Sequence, residues 1–100
     1  MSLLDGKVAI VSGGAQGLGE AYARSLAENG AAVLVFDIQD GVTDVAANLA
    51  RETGARVLGL VVDVSARADV ERVVSTAVES LGGIDILVNN AGAWRRTPVD

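Results

Sequence analysis

The fold of this chain is decided by residues 8–19, which read VAIVSGGAQGLG. The aliphatic run Val8–Val11 is typical of a buried strand, and it stops at a glycine-rich turn. Beyond the turn the apolar spacing becomes helical, with a stripe formed by Leu18, Ala21, Tyr22, Ser25 and Leu26. A strand, a glycine-rich turn and a helix in this order bring free backbone N–H groups together with the positive end of a helix dipole. That arrangement binds phosphate groups.

The glycines of this turn have separate predicted roles. Gly13 permits the sharp turn out of the strand, Gly17 lets the backbone approach a pyrophosphate, and Gly19 lets the helix pack closely on the sheet. Such a triplet is weak evidence alone, because it also occurs in purely structural turns. Here a strand precedes it, a helix follows it, and an acidic residue, Asp37, lies downstream.

The rest of the chain continues the alternation of strand and helix. Apolar runs at 32–36, 57–62 and 86–88 predict three more strands. Glycine ends each helix, and Ser65 is predicted to cap the third helix at its amino end. The apolar stripe of the second helix is Val42, Val45, Ala46, Leu49 and Thr53, and that of the third is Val70, Val73, Val74, Ala77, Val78 and Leu81.

This βαβαβαβ order predicts an α/β fold, a partial Rossmann-type doubly wound parallel sheet with strand order 3-2-1-4. The strands are continuously apolar, as expected of strands buried on both faces of a sheet. Right-handed crossovers put the first two helices on one face and the third on the other.

Composition narrows the classes of function. The chain has 100 residues, a formal net charge of −5, no cysteine and no histidine. An acidic chain is a poor partner for nucleic acid or an anionic membrane, and thiolate metal sites and disulfides are excluded, so no metal site is predicted. The apolar runs are strand-length and no targeting segment is visible, so we expect a soluble, cytoplasmic protein.

Asp37 ends the second strand, 18 residues after Gly19. A carboxylate at that point accepts both ribose hydroxyls of an adenosine and repels a 2′-phosphate. No basic residue stands at positions 14–16 or at Ile38 to offset that repulsion. The pattern therefore favours NAD over NADP. The alternative is a solvated carboxylate at a strand end.

Two further strand ends carry polar residues at the edge where open α/β sheets bind ligands. Asp63 could accept from an adenine amino group while Val64 packs on the ring, or it could serve only the entry into the third helix. The stretch 89–92, Asn-Asn-Ala-Gly, could contact a cofactor or simply form a turn.

Taken together, these features resemble the short-chain dehydrogenase/reductase family along the whole chain. The motifs are S-G-x-x-x-G-x-G after the first strand, an acid ending the second, Asp63-Val64 after the third and N-N-A-G after the fourth. Ser12 stands where most members have threonine. The resemblance implies an NAD-dependent enzyme that moves a hydride between NAD(H) and a small alcohol or ketone, and a homo-oligomeric parent protein, a tetramer or dimer.

The resemblance also implies which residues bind the cofactor. Asp37 and the adjoining Ile38 would bind the adenosine ribose, and Asp63 and Val64 the adenine. Asn90, Ala91 and Gly92 would run past the ribose on the nicotinamide side. The pyrophosphate would be lined by Gly13, Gln16, Gly17, Leu18 and Gly19.

The family's catalytic serine, Tyr-x-x-x-Lys pair and asparagine lie beyond the matched stretch. Tyr22 is the only tyrosine, with Leu26 four residues later, and Lys7 is the only lysine. We therefore assign no catalytic residue and expect this chain alone to bind cofactor without turnover. Trp94 either lines a substrate pocket or packs in its loop, and Arg95 and Arg96 form a solvated turn.

The fourth strand is an apolar edge and the third helix has no partner on its face, which is unusual for a natural sheet edge. We expect residues 1–100 to be the N-terminal part of a single dinucleotide-binding domain whose catalytic half is absent. Two alternatives remain: a non-catalytic NAD-binding module or sensor, and a plain α/β scaffold without ligand.

Overall fold

A computed structural model describes residues 3–63 and 65–89. It confirms the predicted alternation, with strand bounds within one or two residues of those expected. The helical part after β3 ends in a π-helical turn, Ala77–Leu81, which the sequence did not predict. The elements are β1 Val8–Ser12, α1 Gly17–Glu28, β2 Ala32–Asp37, α2 Val42–Thr53, β3 Val57–Val61, α3 Arg67–Thr76 and β4 Ile86–Asn89.

The four strands form one sheet in the order β3-β2-β1-β4, and every pair is parallel, as predicted. In the register, Ser12 at the end of β1 lies opposite both Phe36 of β2 and Asn89 of β4. The carboxyl ends of the strands consequently meet at one edge of the sheet.

Alternate residues of the central strands support two separate cores. Val11, Val33 and Val35 pack with α1 and α2, through Ala23, Ala27, Val42, Ala46 and Leu49. Ile10, Leu34 and Phe36 pack with α3 and the π-helical turn, through Val73 and Ala77. The predicted division of the helices between the two faces is confirmed.

Burial on both faces holds for β1 and β2 but not for the outer strands. β1 is buried throughout, whereas residues of β4 alternate between half-buried and exposed, with Leu87 at 63%. The apolar runs of β3 and β4 therefore did not mean full burial. Each of these edge strands has a neighbouring strand on one side only, whereas β1 and β2 have one on each side.

The predicted apolar stripe of α1 was wrong except at Leu26. Leu18 and Tyr22 are 64% and 42% exposed, and the buried residues are Gly19, Ala23 and Ala27. These small residues recur every four positions on one side of the helix. They let the helix backbone lie close to the sheet, which leaves Leu18 and Tyr22 exposed, while Leu26 is half-buried and packs against the core.

The predicted Ser65 cap of α3 was also wrong. The N-cap residue is Ala66, and no side chain caps the helix there. The Ser65 hydroxyl instead donates to Asp63 Oδ1, at 2.7 Å. A neighbouring carboxylate is a strong acceptor, so the serine hydroxyl is drawn into the preceding turn.

Both ends of the β1–β4 pair are joined by side chains. At the amino end, Val8 N–H donates to Asp85 Oδ2 at 2.8 Å, and Asp85 N–H donates to Val8 O at 2.7 Å. At the carboxyl end, the Ser12 hydroxyl lies 3.3 Å from Val88 O and 3.2 Å from Asn89 Oδ1. The Asp85 contact was not predicted from the sequence.

Replacing Ser12 with alanine tests the carboxyl-end contact. The hydroxyl is buried, so we expect Ser12→Ala to lower the free energy of unfolding by about 1 kcal/mol, measured by urea denaturation. Ser12→Thr keeps the hydroxyl and is the matched control. Equal stability of Ser12→Ala and the unaltered chain would contradict a structural role for this contact.

Close packing of α2 on β3 requires glycine at position 59. A Cβ there would lie 2.9 Å from both Ala46 Cβ and Val42 O. We expect Gly59→Ala to destabilise the chain by about 1–3 kcal/mol through overpacking, in the same assay. The control is Gly41→Ala, where φ is −61° and a Cβ meets open space, so stability should be unchanged or slightly raised.

Candidate functional site

The turn between β1 and α1 stands at the carboxyl edge of the sheet. Gly13 and Gly17 have φ values of +67° and +64°, in the left-handed region that glycine adopts at little cost. A Cβ built at Gly17 would meet no atom within 4 Å. Glycine is needed there for its backbone conformation, and the turn presents bare backbone to the outside.

The amino end of α1 is left without a side-chain cap. Gln16 is the N-cap residue, with extended backbone, and its side chain makes no capping hydrogen bond. The first N–H groups of an α-helix have no acceptor within the helix. Donors and the positive end of the helix dipole are therefore directed at the space above the turn, as an anionic ligand requires.

Gly14 brings the turn against β2, a role that the sequence did not reveal. Its N–H donates to Phe36 O at 3.2 Å, and a Cβ at this position would lie only 2.8 Å from Val35 Cβ. The pair of consecutive glycines, Gly13-Gly14, was the available signal. One glycine explains the sharp turn out of the strand, so a second glycine beside it indicates close packing of the backbone as well.

Asp37 lies directly beside the turn. Its Oδ2 accepts the Ala15 N–H at 3.0 Å, and its Oδ1 accepts the Gln39 N–H at 3.1 Å. The nearness of this acid to the turn was expected from its place at the end of β2, but its bonds to the backbone were not. An ionised carboxylate has about four acceptor positions, so these two bonds leave capacity for ligand hydroxyls. Ile38, the next residue, is 64% exposed.

Asp63 follows β3 and is engaged within its own loop. Its Oδ1 accepts both the hydroxyl and the N–H of Ser65, and its own N–H donates to Asp69 Oδ2 at 2.8 Å. The Ser65 hydroxyl, and then its N–H, hold the pKa of the Asp63 carboxyl below its ordinary value, because both bonds favour the charged form. These contacts belong to the entry into α3, and the role of Asp63 towards adenine stays a prediction.

The fourth strand end contributes Asn89, whose Oδ1 accepts from Ser12. The predicted cofactor residues Val64, Asn90, Ala91 and Gly92 lie outside the described residues, as do Trp94, Arg95 and Arg96. The edge that the structure describes thus combines the turn 13–19 with Asp37, Asp63 and Asn89. Of these, Asp37 touches the turn through Ala15, and Asn89 touches the end of β1.

The chemistry of this edge suits the adenosine diphosphate part of a dinucleotide. Backbone N–H groups at the start of α1 match phosphate oxygens, and the carboxylate of Asp37 matches ribose hydroxyls.

Within residues 3–63 and 65–89, no helix is long and apolar enough to cross a bilayer.

Two solved structures share this fold closely. One is L-sorbose reductase from Gluconobacter frateurii complexed with NADPH and L-sorbose, with a TM-score of 0.84 and 41% identity over 89% of this chain and 34% of that one. The other is carveol dehydrogenase from Mycobacterium avium in complex with NAD, with a TM-score of 0.83 and 31% identity over 92% of this chain and 38% of that one.

Sequence relatives agree with the structural ones. The chain is 49% identical over 93 residues to a 4-formylbenzenesulfonate dehydrogenase of Comamonas testosteroni, which covers 93% of this chain and 37% of that protein. It is 43% identical over 89 residues to a mitochondrial borneol dehydrogenase of Lavandula x intermedia, covering 89% and 32%. The chain thus spans about a third of the length of the curated relatives it matches. A family model described as short chain dehydrogenase matches residues 7–100, and the chain belongs to that family of oxidoreductases.

Proposed function

We propose that this chain binds NAD and forms the cofactor-binding part of an oxidoreductase that transfers a hydride between NAD(H) and an alcohol or carbonyl substrate. The observation that carries the proposal is the Asp37 carboxylate beside the glycine-rich turn, at 3.0 Å from the Ala15 nitrogen. This contact supports the proposal, because a carboxylate can accept from ribose hydroxyls and the N–H groups of the neighbouring turn can donate to a pyrophosphate.

The choice of NAD rests on Asp37 rather than on the fold. The sorbose reductase was solved with NADPH and the carveol dehydrogenase with NAD, and both match this chain with nearly equal TM-scores. A 2′-phosphate carries negative charge, and a carboxylate at the ribose repels it. Positions 14–16 and 38 supply no cation to offset that repulsion.

Each predicted site residue keeps its role within the proposal. Asp37 and Ile38 bind the adenosine ribose, and Asp63 and Val64 take the adenine. The stretch 90–92, Asn-Ala-Gly, takes the nicotinamide side. The pyrophosphate is held by Gly13, Gln16, Gly17, Leu18 and Gly19. NAD, when bound, supplies the hydride acceptor, and the residues of this chain bind and orient it.

The proton chemistry that the family resemblance implies depends on a Tyr-x-x-x-Lys pair, and the sequence contains no such pair. The single lysine, Lys7, precedes β1 at the amino edge of the sheet, opposite the turn. The single tyrosine, Tyr22, lies within α1 with Leu26 four residues later. We therefore propose cofactor binding without turnover for these 100 residues, and turnover for a longer protein that contains them.

Exposed apolar side chains on β4 and α3 support that larger context. Leu87 is 63% exposed, and Val70 and Val74 on α3 and Val78 in the π-helical turn are 43–50% exposed. Natural sheet edges usually carry charge or proline, whereas this edge resembles an interior strand. We propose that the chain is one part of a single larger dinucleotide-binding domain. An alcohol or ketone substrate, a homo-oligomeric parent protein and a cytoplasmic location stay predictions.

Cofactor choice can be tested by titrating the chain with NADH and NADPH and following cofactor fluorescence. We expect tighter binding of NADH, and we expect Asp37→Ala to weaken NADH roughly tenfold or more and to narrow the gap to NADPH. Asp40→Ala removes the same charge three residues later, in the exposed loop that follows β2, and is the control. Equal or tighter binding of NADPH by the unaltered chain would contradict the role of Asp37.

The exposed edge predicts self-association and binding of a hydrophobic dye. Leu87→Lys places a charge on β4 and should reduce both, measured by sedimentation and by dye fluorescence. Leu3→Lys makes the same change at a leucine that is 88% exposed and outside this surface, so it should change neither. A monomer with a sharp cooperative melt and no dye binding would count against the larger domain.

A further inference from the structure

We infer that Asp37 is also a positioning residue, whose carboxylate holds the glycine-rich turn in the shape that receives a pyrophosphate. This inference rests on the proposed function, since it concerns the same site. It adds a second role for Asp37, exercised through the backbone of the turn rather than through the ribose.

Two consecutive residues of the turn are bonded to two consecutive residues of β2. Gly14 N–H donates to Phe36 O at 3.2 Å, and Ala15 N–H donates to Asp37 Oδ2 at 3.0 Å. The first bond uses main-chain atoms and is independent of the side chain at 37. The second depends on that side chain alone, so Asp37 decides whether the Ala15 N–H is bonded to β2.

The carboxylate is itself held in place. Its other oxygen, Oδ1, accepts the Gln39 N–H at 3.1 Å. Rotation of the carboxylate away from Ala15 would break this bond as well. Asp37 therefore presents a fixed acceptor to the turn.

The turn needs such an acceptor because of its glycines. Ala15 lies between Gly13 and Gly17, both of which adopt left-handed backbone, and glycine loses more conformational freedom on ordering than any other residue. A turn released at Ala15 would have to be ordered by the ligand, and that cost lowers affinity. A turn that Asp37 already holds in place binds phosphate without this ordering cost.

For a ligand that has no ribose, the charge of the Asp37 carboxylate and its bond to Ala15 have opposite effects on affinity. A carboxylate repels a pyrophosphate, so loss of charge at position 37 strengthens binding by electrostatics alone. Loss of the acceptor for Ala15 weakens binding. Inorganic pyrophosphate has no ribose, so the affinity for it reports the positioning role of Asp37 and does not depend on the ribose role.

The experiment titrates the ¹⁵N-labelled chain with inorganic pyrophosphate and follows amide shifts at Gly17 and Leu18. We expect Asp37→Ala to bind about fivefold to tenfold more weakly, from the loss of one charge-assisted hydrogen bond. Asp37→Asn loses the same charge but keeps one acceptor oxygen, which can still take the Ala15 N–H, so it should bind pyrophosphate more tightly than Asp37→Ala. Asp40→Ala, which removes a nearby charge only, should not weaken binding.

Hydrogen exchange of the Ala15 amide gives a second readout that needs no ligand. We expect exchange to be at least about tenfold faster in Asp37→Ala than in Asp37→Asn. Asp37→Glu keeps the charge but moves the acceptor by one methylene, so it should speed exchange and weaken pyrophosphate binding. This variant carries the test if Asp37→Ala does not fold.

The inference is overturned if Asp37→Ala and Asp37→Glu bind pyrophosphate as tightly as the unaltered chain and leave Ala15 exchange unchanged.

A groove of about 280 Å³ at the opposite edge of the sheet contains Lys7 and Arg56 among its lining residues. Pyrophosphate shifts confined to that groove would contradict the proposed function, and Ala15 exchange would still decide the positioning role.

Discussion

Parallel pairing of β1 with a strand on each side is the constraint on which the rest of this structure depends. Because β2 and β4 both run parallel to β1, the carboxyl ends of these three strands lie at one edge of the sheet. The glycine-rich turn, the acid of β2 and the amide of Asn89 are brought to that edge by topology alone. A single antiparallel strand would have sent its loop, and the side chain it carries, to the opposite side of the sheet.

The same pairing explains how the helices are used. Alternate residues of β1 and β2 face opposite sides, so each side needs a cover, and the crossover connections supply α1 and α2 on one and α3 on the other. The helix that follows the turn is packed through Gly19, Ala23 and Ala27, which keeps its amino end close to the sheet. Close packing of α1 and the position of the glycine-rich turn are therefore one feature of the fold.

Around the turn, the chain uses backbone donors in two directions. The N–H groups of Gly14 and Ala15 are directed inward to β2, at Phe36 O and Asp37 Oδ2. Those at the start of α1 are directed outward, where the helix provides no acceptor. An acidic chain with net charge −5 can in this way hold an anionic cofactor, because local dipoles at a few ångströms outweigh a diffuse and screened repulsion.

By itself the sequence determined the order of elements, the strand order, the turn and the acid at its side, because apolar periodicity, glycine and the βαβ crossover rule act over short stretches of chain. It misassigned the buried side of α1, since large apolar residues such as Leu18 and Tyr22 count as core in a periodicity, whereas small residues let a helix lie close to the sheet. It also misassigned the cap of α3, because the Ser65 hydroxyl bonds to Asp63 instead. Only the tertiary structure showed that Gly14 lies against Val35 and that Asp37 holds Ala15. These are contacts between residues about twenty positions apart, and their geometry is decided by how closely β2 and the turn pack together.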